Sequence, residues 1–304
     1  MRLRQIEVFH AIYTSGSMTN AARLLNVSQP SVSKVLAHAE QQLGYPLFDR
    51  TRGKLVATPE ADRLFGLVSN VFDDVEQLRH VAENLRASDS GKVRIAATPA
   101  FGIDLVPTAV SSYLEEHPET NFEIETLHHD EIGDALLESR VDIGLAFDAV
   151  PPPGLIKDSM AEAEFYVIAS PETDLGDGER VSVDMLTEFP FISLSGRGPL
   201  GRLLSSHLEN HDTDLNKAVF TETYQVAKAL VARGTGVSIV DALTALSADS
   251  NDVQYKLLDP PLRYTIDVLS FDAMPLSIVG HRFVEHLKNV AQQYSVCTPV
   301  MGTA

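Results

Sequence analysis

Between Leu64 and Leu85 apolar residues recur with gaps of four, three, four, three, four and three: Leu64, Val68, Val71, Val75, Leu78, Ala82 and Leu85. Three heptads with one apolar side demand a single long helix, because strands repeat every two residues. Thr58 is placed to cap it and Pro59 to occupy its first position. Such a stripe needs a surface to cover it. Two readings are open: pairing with a second copy of the chain, or packing on the chain's own body. For pairing, the seam residues are Leu64, Val68, Val71, Val75, Leu78 and Leu85. The rod ends at Ala87-Ser88-Asp89-Ser90-Gly91, a hinge composition. It divides the 304 residues into a head (1–58), a linker (59–90) and a body (91–304).

Charge follows the same division. Residues 1–60 carry seven basic and four acidic side chains, net +3, in a chain whose formal net charge is −18. Acidic proteins bind polyanions poorly, because phosphate attraction supplies most of the affinity. A basic head on an acidic body still permits it if only the head touches nucleic acid. A single cysteine, Cys297, excludes an intrachain disulfide and fits a reducing compartment. No apolar run reaches the ~18 residues that span a bilayer, and Arg2 and Arg4 stand where a signal peptide needs apolar residues. The expectation is a soluble cytoplasmic protein with no membrane partner.

The head reads as three helices and a hairpin. Ile6, Phe9, Ile12 and Tyr13 recur at helical spacing from Leu3 to about Tyr13. Thr14-Ser15-Gly16-Ser17 breaks that run, and Ser17 can cap a short helix from Met18 to Leu25. Ser28 can cap a third helix with Pro30 in its first turn, Val32, Val35, Leu36, Ala39 and Leu43 as its buried stripe and Gly44 at its end. The opposite face shows Gln29, Pro30, Ser33, Lys34 and Ala37. This is a helix-turn-helix whose third helix can enter the major groove. Gln29 can pair with an adenine edge, Lys34 with guanine or phosphate, and Ser31 and Ser33 with either. Ser17 and Thr19 are placed for the backbone. Leu47-Phe48-Asp49-Arg50-Thr51-Arg52-Gly53-Lys54-Leu55 reads as a two-stranded wing with Arg50, Arg52 and Lys54 for phosphates. A helical bundle with a charged turn is the plainer alternative.

Residues 1–61 resemble the N-terminal domain of LysR-type transcriptional regulators. The matching stretches are Leu3-Arg4-Gln5-Ile6-Glu7-Val8-Phe9, Gly16-Ser17-Met18-Thr19-Asn20-Ala21-Ala22, Leu25 through Ser33, Leu43-Gly44 and Leu47-Phe48-Asp49-Arg50. Ala61 stands where the family usually has glycine. The resemblance carries the family's recognition-helix role onto Gln29, Pro30, Ser33 and Lys34; with the residues read above, the expected DNA contacts are Ser17, Thr19, Ser28, Gln29, Pro30, Ser31, Ser33, Lys34, Arg50 and Arg52. It also implies dimers paired through the linker helix, tetramers through the body, double-stranded promoter DNA as partner, and RNA polymerase as a further one.

The body alternates strand and helix. Strands are expected at 93–97, 121–127, 141–147, 164–170, 190–194, 217–221, 237–240 and 264–270, and Pro151-Pro152-Pro153 as a rigid surface spacer. That alternation predicts mainly parallel sheets in two α/β lobes, lobe I of about 91–162 and 265–304 and lobe II of about 163–264. The resemblance agrees: an all-α winged helix-turn-helix head and long linker helix, then an effector domain like a type 2 periplasmic binding protein. Ligands of open α/β sheets sit at strand carboxyl ends and helix N-termini. The candidates are Thr98, Pro99, Ala100, His128, Phe147, Asp148, Ser193, Ser195, Thr223 and Asp241, with hydroxyls, amides and Arg197 for an anion and Asp148, Glu222 or Asp241 for a cation. That mix suits an amino acid or derivative. Ile192-Ser193-Leu194-Ser195 and Ala232 through Leu246 resemble the amino-acid-linked branch of the family, which includes regulators of diaminopimelate decarboxylase and of opine use.

Catalysis finds little support. His128 and His129, read as neighbours on a strand, point to opposite faces and make a poor metal site. Cys297 lacks a nucleophile signature, Gly234-Thr235-Gly236 lacks the third glycine of a dinucleotide loop, and Ser195-Gly196 sits in no nucleophile elbow. The expectation is no catalytic residue, no metal and no cofactor. A ligand-gated transcription factor leads; a solute-binding protein of the transport class is the alternative, and an enzyme comes third.

Overall fold

The structure, a computed structural model, describes residues 1–51, 54–86, 91–211, 215–247 and 252–293. The chain divides at His80 and Val81 into two compact units.

In the first unit, α1 (Leu3–Ser15) buries Val8, Phe9 and Ile12 on one face and ends at Gly16, whose φ of 63° lies in the left-handed region. Ser17 caps α2 (Met18–Leu24), its Oγ accepting from the Asn20 amide at 3.4 Å. Helix α3 (Gln29–Leu43) buries Val32, Leu36 and Ala39 against them. Ser28 holds the N-cap position, but its hydroxyl pairs with the Ser31 hydroxyl at 2.8 Å instead of capping the helix. Strands β1 (Phe48–Thr51) and β2 (Lys54–Ala57) form the expected antiparallel wing; Arg52 and Gly53 lie outside the described residues, as do the side chains of Arg50 and Lys54. Helix α4 (Pro59–Arg86) runs for 28 residues, and the Thr58 hydroxyl accepts from the Ala61 amide at 3.2 Å. At ~1.5 Å per residue it is about 42 Å long.

The heptad stripe does two jobs. Its first turns dock on α1: Tyr13 stacks on Phe65 with ring centroids 3.8 Å apart, His10 stacks on Phe72 at 4.2 Å, and the Tyr13 hydroxyl donates to Asp62 at 2.8 Å. Val68 is 4% exposed within the head's core and Leu64 packs against it. Both were expected at the seam between copies; the head's own core takes them instead. Farther along, Val75 is half-buried, while Val71 is 38% and Leu78 72% exposed. The side chains of Ala82 and Leu85 and the hinge at 87–90 lie outside the described residues.

The second unit holds two lobes. The sheet of lobe I comprises β3 (Lys92–Ala97), β4 (Asn121–Thr126), β5 (Ile143–Phe147), β6 (Leu155–Glu164) and β13 (Arg263–Phe271), in the order β4-β3-β5-β13-β6. Helices α5 (Leu105–Glu116), α6 (His129–Leu137) and α10 (Ile278–Gln293) belong with it. Lobe II has a sheet of β7 (Tyr166–Ala169), β8 (Arg180–Ser182), β11 (Ser238–Val240) and β12 (Gln254–Asp259), beside a parallel pair, β9 (Phe191–Leu194) and β10 (Lys217–Thr221). Its helices are α7 (Gly198–Asn210), α8 (Tyr224–Val231) and α9 (Ala242–Leu246).

The mainly parallel arrangement is corrected to a mixed one. Strand β13 runs antiparallel to β5 and β6, and β7 runs antiparallel to β11 and β12. The cause is the double crossing between lobes. The chain leaves lobe I along β6 and returns along β13, so these two paired strands must oppose each other. They pair from Arg263↔Glu164 to Phe271↔Leu155, slightly extending lobe I beyond the expected limits. A fully buried Asp267 fastens the crossing: its carboxylate accepts from the Ser159 hydroxyl at 2.6 Å and the Ala149 amide at 2.8 Å. Strands β6, β8 and β12 were not anticipated from the sequence.

Candidate nucleic-acid interface and ligand cleft

The exposed face of α3 carries Pro30, Ser31, Lys34, Ala37 and His38, and the preceding Ser28 is exposed too. No large apolar side chain interrupts it. Gln29 is half-buried, and its Nε2 donates to the Ser33 Oγ at 3.1 Å. These two must give up that bond to reach a base. Thr19 is exposed at the start of α2, and Ser17, occupied as an acceptor, keeps its proton to donate. His38 was not foreseen. Its Nδ1 lies 2.9 Å from the Nε2 of Gln5, which also donates to Gln42 Oε1 at 2.9 Å, so this network ties α1 to α3. The geometry is a convex strip one helix wide on the net-basic segment, suited to the major groove.

Between the lobes lies a cavity of about 110 Å³. Lobe I lines it with Thr98, Pro99, Ala100, His128, His129 and Phe147. Lobe II contributes Arg197 to Gly201 and Glu222 to Gln225. Four helix N-termini account for nearly all of this lining: a 3-10 turn capped at Thr98, α6 with His128 at its N-cap, α7 with Arg197 and α8 with Thr223. His128 and His129 therefore sit at a helix start, which corrects their placement on a strand. The His128 amide donates to Glu131 at 2.9 Å.

The α7 corner depends on two glycines. Gly198 has φ of +80°, and a Cβ there would stand 3.4 Å from His129 Nδ1. At Gly201 a Cβ would lie 2.4 Å from the Ser195 carbonyl oxygen, so only glycine lets the helix approach this closely. At the rim, exposed Arg197 and Glu222 face each other at 3.6 Å, a pair worth little in water. Burial, and the Asp241 carboxylate nearby, push the Tyr224 hydroxyl far above its usual pKa, so it stays neutral.

Six expected ligand residues meet here: Thr98, Pro99, Ala100, His128, Phe147 and Thr223. Four do not. Asp241 is fully buried and caps α9, accepting from the Thr244 amide at 3.0 Å and its hydroxyl at 2.6 Å; burial pushes its carboxyl pKa up. Asp148, at φ 47°, turns its carboxylate to the Thr265 amide at 3.2 Å and lines a neighbouring hollow. Ser193 lines a separate hollow under α7. The Ser195 hydroxyl accepts from the Arg197 amide at 3.2 Å. Strand ends were read correctly, but their direction relative to the cleft is a tertiary property. Tyr224 and Gln225 were missed, although Thr223 as an N-cap signals that the next residues open a helix.

Among the described residues, no group of three or more His, Cys, Asp and Glu side chains could hold a metal, and no helix is long and apolar enough to cross a membrane. A winged, net-basic three-helix head and a two-lobed body with a cleft between its lobes together define a ligand-responsive DNA-binding regulator. Comparison with known proteins agrees. Residues 3–62 match the bacterial regulatory helix-turn-helix proteins of the lysR family, and residues 86–292 match the LysR substrate binding domain. The chain belongs to the LysR family of transcriptional regulators. It is 39% identical to the transcriptional regulator DgcR of Pseudoalteromonas sp, over 95% of this chain and 99% of that protein. It is 29% identical to the transcriptional activator LysR of Escherichia coli K12, over 95% and 93%. The fold matches that of full-length CbnR solved with its target DNA, at TM-score 0.70 and 20% identity, over 96% of this chain and all of that one.

Proposed function

We propose that the chain is a cytoplasmic regulator that acts by binding and not by catalysis. Its α3 face reads promoter DNA, with Lys34 as the principal cation and Gln29, Ser31 and Ser33 as base-edge donors and acceptors. Ser17, Thr19, Ser28 and Pro30 position the head on the backbone, and Arg50 and Arg52 on the wing hold phosphates. Copies pair through α4 beyond Val68, at Val71, Val75, Leu78 and Leu85, and pairs join through their bodies into tetramers. Two heads related by a dyad read a symmetric site. A small effector, an amino acid or derivative, binds between the lobes and shifts their equilibrium by its differential affinity for two lobe arrangements. The shift alters head spacing and, through it, contact with RNA polymerase.

The observation that supports this reading best is the exposed polar α3 face on a net-basic segment of an otherwise acidic chain. Selection of bound sequences from a random duplex pool tests it. The expected result is a short dyad-symmetric motif recovered by the wild type, and the same motif at lower yield by Lys34→Ala. Recovery of no motif contradicts the reading.

A further inference from the structure

We propose that His38 is a further DNA contact of the α3 face, a neutral donor that Gln5 aims at a phosphate oxygen on the edge of the groove. This deepens the promoter-reading function above and rests on it. Gln5 is 4% exposed, and its neighbours fix every polar atom of its side chain. Its Oε1 accepts from the Arg2 amide at 2.6 Å. The other end of the amide is therefore the donor, and its two protons go to Gln42 Oε1 at 2.9 Å and to His38 Nδ1 at 2.9 Å. Turning the amide over would bring Nε2 to the Arg2 N–H and Oε1 to the Gln42 oxygen, and both bonds would be lost. His38 Nδ1 is thus an acceptor. The proton of the neutral ring sits on Nε2, at the ring's other edge.

That proton is free to serve DNA. His38 is exposed, on the same face as Pro30, Lys34 and Ala37, and among the described residues nothing accepts from its Nε2. It follows Lys34 by one turn, about 6 Å farther along the helix. A recognition helix meets base edges with its N-terminal residues, and beyond them a straight helix parts from the curved groove toward the flanking strand. His38 stands well past the first two turns of α3, so the sugar–phosphate backbone is what it faces, and phosphate oxygens only accept. A neutral donor also differs from a lysine in its response to salt. Lys34 displaces a counterion from the duplex, whereas an uncharged imidazole displaces none and adds affinity without adding to the salt slope.

Fluorescence anisotropy of the full-length protein at about pH 8, where imidazole is ordinarily neutral, tests the contact on a duplex from upstream of its own gene and on a random duplex, over a series of salt concentrations. His38→Asn keeps an acceptor for Gln5 where Nδ1 stood and lacks the outward donor; His38→Gln places a donor near the Nε2 position and lacks the acceptor. His38→Asn is expected to bind both duplexes about three- to tenfold less tightly, with unchanged salt slope and unchanged unfolding midpoint. His38→Gln is expected to bind more tightly than His38→Asn yet to unfold at a lower temperature, the reverse of the order that a merely structural histidine would give. Gln5→Met, which releases the ring, should weaken binding in the wild type and add nothing in His38→Asn; equal losses in both backgrounds overturn the orienting role of Gln5. Wild-type affinity in His38→Asn, or binding by His38→Gln no tighter than by His38→Asn, overturns the contact alone. A salt slope shallower by about one in His38→Asn makes the ring a cation and overturns the neutral donor. Loss confined to the duplex from its own gene moves the contact to a base and overturns the phosphate assignment. Failure of the wild type to bind either duplex overturns the promoter reading and the contact together.

Discussion

The two recognition surfaces are built in opposite ways. The head presents a convex strip from one short segment, Ser28 to His38, whose buried side is held by Val32, Leu36 and Ala39. The cleft is concave and drawn from segments as distant as Thr98 and Gln225, and both lobes must be in place before it exists. Local construction makes the head's specificity a matter of side chains on a fixed scaffold. Distributed construction makes the cleft responsive, because any ligand spanning it couples two bodies that can move. The head has Ser28, Ser31 and Lys34 exposed before any partner arrives, while Gln29 and Ser33 are bonded to each other.

The contrast can be broken at the rod. The double substitution Val71→Asp, Leu78→Asp places charges on exposed apolar positions and should leave the monomer folded. The expected result in light scattering is a halved mass, with DNA affinity lower by about a hundredfold or more through lost bivalency. An unchanged mass would remove the seam from α4. Next in size is Phe9→Ala, which empties the head's core and should lower its stability by about 3–5 kcal/mol. Calorimetry should show the head's transition moving and the body's staying, since the two units have separate cores. A parallel shift of both would show the units to be coupled.

Lys34→Ala is a smaller change. It should weaken DNA binding uniformly across sequences by about tenfold and reduce the salt slope by about one, with no change of oligomer size. Loss confined to one base position would make Lys34 a base reader. The smallest effect belongs to the body. Burial lowers the pKa of His207 from 6.5, and the neighbouring His211 lowers it further. The unfolded chain then takes up a proton more readily than the folded one, so stability falls as pH drops below about 6.5. The body's unfolding midpoint should drop less between pH 7 and 5 in His207→Phe than in wild type.

Much of the head was legible because its signals are local. Gly16 before Ser17, Gly44 after Leu43 and Pro59 after Thr58 mark ends that the structure keeps. The fate of Leu64 and Val68 was not legible, since a heptad does not say which surface covers it. In the body, β6 escaped notice because Leu155 to Glu164 alternates weakly and its partner β13 lies about a hundred residues away. Asp148 was misplaced for the same reason, whereas Asp241 bonds locally to Thr244 as the cap of α9, a role that its place before a helix could have signalled. Both stand at strand ends, yet Asp148 turns to β13 and Asp241 turns into α9.

The claim at the centre is that a net-basic head lets a strongly acidic chain read duplex DNA. Fluorescence anisotropy of the full-length protein on a labelled fragment from upstream of its own gene, titrated with random duplex competitor of equal length at modest ionic strength, tests it directly. Binding that survives a large excess of competitor, and that is about tenfold weaker in Lys34→Ala, is the predicted result. Equal displacement by specific and random competitor would contradict it.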